Sequence, residues 1–165
     1  MAPIGPPVCD RTGNPLRTPC QTGTMDDALY EFSADAARID AAWAHEMLST
    51  HAYWAVGRTR AQQDAANAGS RCFGVYRRAR GRQVAFARLV TDGVTFGWLA
   101  DVIVDPAVRG EGIGKGLVEG IAAEADALGL RRTLLFTKDA HALYARSGWE
   151  PVAPPESWMV RWRHE

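Results

Sequence analysis

Between Asp101 and Leu128 the chain runs from an apolar strand, through a turn with glycine at positions 110, 112, 114 and 116, into a long amphipathic helix. The helix is written in the recurrence of Ile113, Leu117, Val118, Ile121, Ala125 and Leu128, which ends at Gly129. Glycines in such a turn let the backbone take positive φ and approach a ligand closely. The first amides of a helix have no partner within it, and the helix dipole lies behind them, so the turn is suited to an anion such as a phosphate. Arg109 and Lys115 add positive charge beside it. Two widespread phosphate loops fail on spacing. A G-x-G-x-x-G dinucleotide turn needs glycine where Lys115 or Leu117 stands, and a P-loop needs Ser or Thr after Gly114-Lys115, where Gly116 stands.

The spacing that does fit is R-x-x-G-x-G/A, as Arg109-Gly110-Glu111-Gly112-Ile113-Gly114. In this strand–loop–helix setting it resembles the pyrophosphate loop of the GNAT superfamily, the GCN5-related N-acetyltransferases. A second, independent match follows. The stretch from Leu134 to Trp149, with Tyr144-Ala-Arg-Ser-Gly148-Trp149 at its end, is similar to that family's fifth strand, short helix and Tyr-x-x-x-Gly-aromatic signature. The resemblance spans about residues 29–163, and the YWA-x-GR and FAR-x-VTD segments are similar to a group of small bacterial acetyltransferases.

The remaining pattern gives the same order of elements. Leu29–Phe32 reads as a first strand. Ser33 is placed to cap a helix running through Ser49, and Thr59 with Gln62 makes a capping box for a second helix that stops at Gly69. Cys72–Tyr76 and Val84–Val90 read as strands, and Asp92-Gly93 is a hairpin signal leading into Thr95–Val104. Thr133–Phe136 is a further strand, His141–Ser147 a short helix before Gly148, and Trp149–Val152 and Trp158–Trp162 two final strands. This is one mixed α/β domain. The resemblance implies a GNAT fold, with a central, mostly antiparallel sheet whose fourth and fifth strands splay apart.

It also implies acetyl transfer from acetyl-CoA to an amine within a ternary complex, with no metal. The cofactor-binding residues are then Val102, Ile103 and Val104, along the fourth strand, and Arg109, Gly110, Gly112, Ile113, Gly114 and Lys115 in the loop. A backbone amide near Ile103 is the expected donor to the thioester oxygen. Tyr144 is the expected acid for the departing thiolate, since phenol and thiol pKa values are reasonably matched. Asp101 is the carboxylate placed to act as base, with pairing to an arginine as its alternative. His51 and His141 belong to the residue type that titrates near neutrality. Glu111 reads as a solvated loop residue.

The acceptor is expected between the segments Ser49–Arg58, Arg88–Trp98 and Pro155–Trp158, with His51, Tyr53, Trp54, Arg88 and Trp98 as contacts and Arg58 and Phe96 nearby. Aromatic walls with an arginine suit a small primary amine with an apolar body, with or without an anionic group. Arg88 has the alternative of pairing with Asp101.

Composition narrows the remaining classes. The 19 basic and 19 acidic side chains cancel, which argues against a nucleic-acid partner or a polybasic membrane anchor. No apolar run is long enough to span a bilayer, and no secretory leader is read, so a cytoplasmic location is expected. Cys9, Cys20 and Cys72 fit no zinc spacing and read as free thiols. Residues 1–24 carry Pro3, Pro6, Pro7, Pro15 and Pro19 and little periodicity, and are expected to be a disordered or loosely ordered leader, with Met25 as an alternative start. Residues 25–165 are the acetyltransferase domain, with a homodimer left open. The competing classes are a non-catalytic acyl-CoA-binding or regulatory module and a nucleotide-binding α/β protein, the latter disfavoured by the failed loop spacings.

Overall fold

The computed structural model describes residues 24–161; the leader, including Cys9 and Cys20, lies outside the described residues. Nine elements carry the architecture: β1 (Tyr30–Ser33), α1 (Ala41–His51), α2 (Arg60–Ala68), β2 (Arg71–Arg77), β3 (Arg82–Thr91), β4 (Phe96–Val104), α3 (Ile113–Ala127), β5 (Arg132–Leu135) and α4 (His141–Ala145). The sheet order follows the chain, β1-β2-β3-β4-β5. The first three pairings are antiparallel and the last, β4 with β5, is parallel.

Each face of the sheet has its own core, which is why β2 is buried over five consecutive residues. Strand side chains alternate between faces. Phe73, Val75, Ala85, Ala87 and Leu89 meet Leu117, Val118 and Ile121 of α3 on one face. Cys72, Phe86 and Ile103 meet Ala44, Met47 and Leu48 of α1 on the other. Burying each large apolar side chain of α3 contributes roughly 1.5–3 kcal/mol, which fixes the helix, and the loop that precedes it, against the sheet. Gly120 makes the approach of α3 to β1 close: a Cβ there would lie 2.6 Å from the Phe32 ring.

Helix α1 starts later than the capping pattern suggests. Ser33 is the last residue of β1, Asp35 caps a 3-10 turn at Ala36–Arg38, and Asp40 then caps α1 through its bonds to the amides of Ala42 and Trp43. An Asp at each of two nearby positions outcompetes the single Ser, since each satisfies orphan amides of its own turn. The Thr59–Gln62 capping box of α2 forms with both reciprocal bonds.

The two final strands do not form among the described residues. Residues 149–152 are irregular, Pro155–Ser157 is a 3-10 turn, and 158–161 pair with nothing; Trp162 lies outside the described residues. Pro151 withholds an amide within the first of these segments, and Pro154 and Pro155 break the chain between the two.

Beside β5 the sheet comes apart. Pairing with β5 runs from Phe96–Arg132 to Leu99–Leu135 and stops, while β4 continues to Val104. Residues 100–104 therefore expose one backbone edge. A bulge sits where the edge begins: Arg88 opposes Ala100 and Phe86 opposes Ile103, so Asp101 and Val102 together oppose Ala87. Asp101 takes φ 55°, the only positive φ outside glycine among the described residues. Asp tolerates this left-handed region better than most residues, and such strain collects at functional sites.

Candidate active site

A cleft of about 790 Å³ opens along this unpaired edge. Its floor is β4 from Trp98 to Val104. One end is the loop before α3, the other the segment between α1 and α2, and the far wall is α4 with the loop that precedes it. Tyr144, Asp101, the nine cofactor-loop and β4 residues, and His51, Tyr53, Trp54, Arg88 and Trp98 all line this cleft.

At the loop end, Gly110 and Gly112 have φ 89° and 78°, which lets the chain turn from β4 into α3. Gly112 is the N-cap and offers no side-chain bond, so the amides of Ile113, Gly114 and Lys115 face outward unsatisfied by a cap. Among the described residues Arg109 makes no ion pair, and Lys115 reaches only Glu119, one turn on, at 3.6 Å. A concave run of free amides with two cations beside it fits a diphosphate. Gly114 lies against Val104 and Leu143, which brings α3 up to the strand edge. Glu111 is not free in solvent: it accepts a 2.6 Å hydrogen bond from the Tyr30 phenol.

Along the floor, the Asp105 amide donates to the Val84 carbonyl. Alternation along the ladder then turns the Ile103 amide toward β3 as well, while Val102 and Val104 turn theirs to the gap. The amides near Ile103 that face the gap are thus those of its two neighbours. Ile103 itself contributes a buried side chain to the α1-side core.

Tyr144 stands on α4 opposite that edge, nearly buried, its ring edge-on to Trp149 at 6.1 Å. Burial, and then the nearby Asp139 carboxylate, push its phenol up to about 12. The group is thus held protonated and is a donor.

At the acceptor end the bulge aims Asp101 at the α1–α2 side, where Arg58 Nη1 and Arg88 Nε both donate to its Oδ2 at 2.6 Å. Asp101 is 5% exposed. Burial alone would raise its pKa, but the hydrogen bonds and charges of the two arginines outweigh it and hold the carboxyl below its ordinary value. A carboxylate so held is a weak proton acceptor. Its geometry is that of an arginine clamp, the alternative open in the sequence. Tyr53 and Trp54 pack edge to face at 4.9 Å and remain about half exposed to the cleft, as does Trp98 less fully. Lys138 Nζ lies 4.4 Å over the Tyr53 ring, which links the wall before α4 to the α1–α2 segment.

Arg58, Arg146, Phe136, Thr137 and Asp139 also line the cleft. Arg58 was legible as the end of the aromatic segment. Arg146 and the residues before α4 carry no periodic signal, because they face the cleft from loops. His141, Pro155–Trp158 and Phe96 lie off it. Cys72 is a buried free thiol. Among the described residues no helix is long and apolar enough to cross a membrane, and no cluster of three His, Cys, Asp or Glu side chains is placed to hold a metal ion.

A splayed β4/β5 pair with a loop of uncapped amides at one end is the arrangement of an acetyltransferase of the GNAT type. Residues 28–149 match the model of the acetyltransferase (GNAT) family, and this chain belongs to that family and is an acyltransferase. A Gibberella zeae protein described as a candidate acetyltransferase is 30% identical over 137 residues, covering 72% of this chain and 77% of that one. A crystal structure from Xanthomonas campestris, described as a candidate acetyltransferase of the GNAT family, superposes with TM-score 0.76 at 41% identity, covering 84% of this chain and 95% of that one. A Mycobacterium tuberculosis structure solved in complex with CoA shares the fold, with TM-score 0.62 at 22% identity, 76% of this chain and 75% of that one.

Proposed function

We propose that this chain is an acetyl-CoA-dependent N-acetyltransferase that moves an acetyl group to the primary amine of a small molecule by direct attack in a ternary complex. The observation that carries the reading is the unpaired β4 edge, which joins the free amides before α3 to the acceptor end in one cleft faced by Tyr144. The co-substrate supplies the acetyl group as an activated thioester.

The chain's own groups then divide the work. The amides of Gly110, Gly112, Ile113, Gly114 and Lys115, with the Arg109 and Lys115 charges, hold the diphosphate. Val102 and Val104 present backbone donors and acceptors that pair with an amide-rich arm as an added strand would. One of these amides donates to the oxygen on which negative charge develops. A donor of this kind typically lowers the barrier by about 3–4 kcal/mol. Tyr144 gives its proton to the leaving sulfur. Asp101 organises Arg58 and Arg88 rather than accepting a proton, and the amine proton leaves to solvent at the acceptor end, which His51 lines.

The test is thiol release from acetyl-CoA across a panel of primary amines, read with mass detection of the acetylated product. Stoichiometric thiol and acetylamine, with thermal stabilisation by acetyl-CoA and not by ATP or NAD, is the expected result. No stabilisation by acetyl-CoA and no turnover would overturn the reading.

A further inference from the structure

We infer that the Arg58–Asp101–Arg88 cluster binds a carboxylate carried by the acceptor, so that the substrate class is an amino carboxylate with an apolar body. The inference rests on the acetyltransferase reading above and specifies its acceptor.

Two guanidinium groups share one carboxylate there, and both use the same oxygen, Oδ2 of Asp101. The cluster therefore holds one uncompensated positive charge. Its donors are not exhausted. Arg58 spends Nη1 on Asp101 and on Gln63 Oε1, which leaves Nε and Nη2 without a partner among the described residues. Arg88 spends Nε on Asp101 and Nη1 on Ser70 Oγ, which leaves Nη2. A guanidinium carries five N–H donors in a planar fork matched to carboxylate oxygens.

The arginine side chains are largely but not wholly covered, at 22% and 15% exposure, and both line the cleft. Partial burial is what makes an unpaired donor costly and a second anion worthwhile. The Asp101 bulge anchors the two arginines beside the β4 edge, so a bound carboxylate would lie within a few residues' length of Val102, where the acetyl group is handed over. Around it Tyr53, Trp54 and Trp98 offer apolar faces. A polycationic amine is disfavoured by the same excess positive charge.

Matched ligands that differ only in the carboxylate decide the matter. The CoA-loaded protein is titrated with N-acetylleucine against N-acetylisoamylamine, and with N-acetylphenylalanine against N-acetylphenethylamine. The corresponding free amines are compared as acceptors. The expected preference for the carboxylate member is about 10–100-fold in affinity and in kcat/KM for at least one pair. Arg88→Lys and Arg58→Lys keep the charge beside Asp101 but lose the fork, and each is expected to reduce that preference while CoA affinity, measured separately, stays unchanged. Equal binding of both members, or of neither, overturns the inference. If CoA binds and amines lacking a carboxylate are acetylated equally well, the inference fails and acetyl transfer stands. If CoA itself forms no complex, the underlying reading fails.

Discussion

Tyr30 donates its phenolic hydrogen to Oε2 of Glu111 at 2.6 Å, although 81 residues separate them in sequence. The Tyr30 phenolic oxygen in turn accepts from Arg77 Nη2 at 2.7 Å. Strand β1 and its neighbour β2 thereby hold the turn before α3 from behind, on the side away from the cleft. The turn's amides are kept in place by a bond that none of the ligand-facing residues makes.

Tyr30→Phe removes that bond from a buried ring and leaves the packing. The loss is about 1.5–3 kcal/mol for a hydrogen bond to a charged group, or roughly 3–12 °C in melting temperature for a chain of this size. CoA affinity should fall severalfold as well, because the loop is less ordered before binding. Calorimetry beside a thermal melt reads both, and an unchanged CoA affinity would show that the loop is fixed without Tyr30.

Tyr144→Phe should lower kcat by roughly 10²–10⁴-fold while CoA binding holds, since only the proton donor is lost. With its phenol pushed up to about 12, Tyr144 stays protonated through the range in which acetyl-CoA is assayed. The rate–pH profile of the native protein should therefore show no descending limb from Tyr144 below about pH 11. Equal turnover in the Phe variant would remove Tyr144 from the chemistry.

Two buried phenols also set an alkaline limit on stability. Burial pushes Tyr76, like Tyr144, up to about 12. In the unfolded chain each titrates near 10, so the unfolded state releases protons first. The stability these groups contribute is present in full below pH 10 and is lost as the pH rises toward 12. By the upper end of that window each has cost the fold on the order of 2–3 kcal/mol. Urea midpoints measured from pH 8 to 11.5 should fall above pH 10, and the fall should shrink in the Tyr76→Phe variant. A flat profile would contradict the burial of these hydroxyls.

Asp101 works in the opposite sense. Its folded-state pKa is lowered, so its contribution is present above the ordinary carboxylate range and is lost as the pH falls through the folded value. Asp101→Asn leaves two half-buried guanidiniums without their anion and should cost about 3–5 kcal/mol at neutral pH. The gap between native protein and variant should narrow below about pH 4. Denaturant titrations at pH 7 and pH 3.5 check this, and a loss under about 1 kcal/mol at pH 7 would mean the clamp is not structural.

What the sequence carried plainly was the run from Asp101 to Leu128, because helical period, glycine spacing and charge all fall on contiguous residues. The capping box of α2 and the Asp92-Gly93 hairpin were legible for the same reason. The Arg58–Asp101–Arg88 clamp was visible only as alternatives, since its partners come from a loop and two strands and meet through a bulge that no periodicity announces. The start of α1 was misplaced because Ser33, Asp35 and Asp40 are all competent caps and packing chooses between them. The terminal strands were misread because aromatic and β-branched residues suggest strands even where no neighbouring edge pairs with them. The Tyr30–Glu111 bond could not be read at all, as no local pattern links the two positions.

Amide hydrogen exchange with and without acetyl-CoA tests the central claim most directly, because the claim concerns backbone groups that mutation does not remove. Added protection confined to β4 from Val102 to Val104 and to the turn from Gly110 to Lys115 is the predicted result. Protection elsewhere, or none at saturating acetyl-CoA, would contradict it.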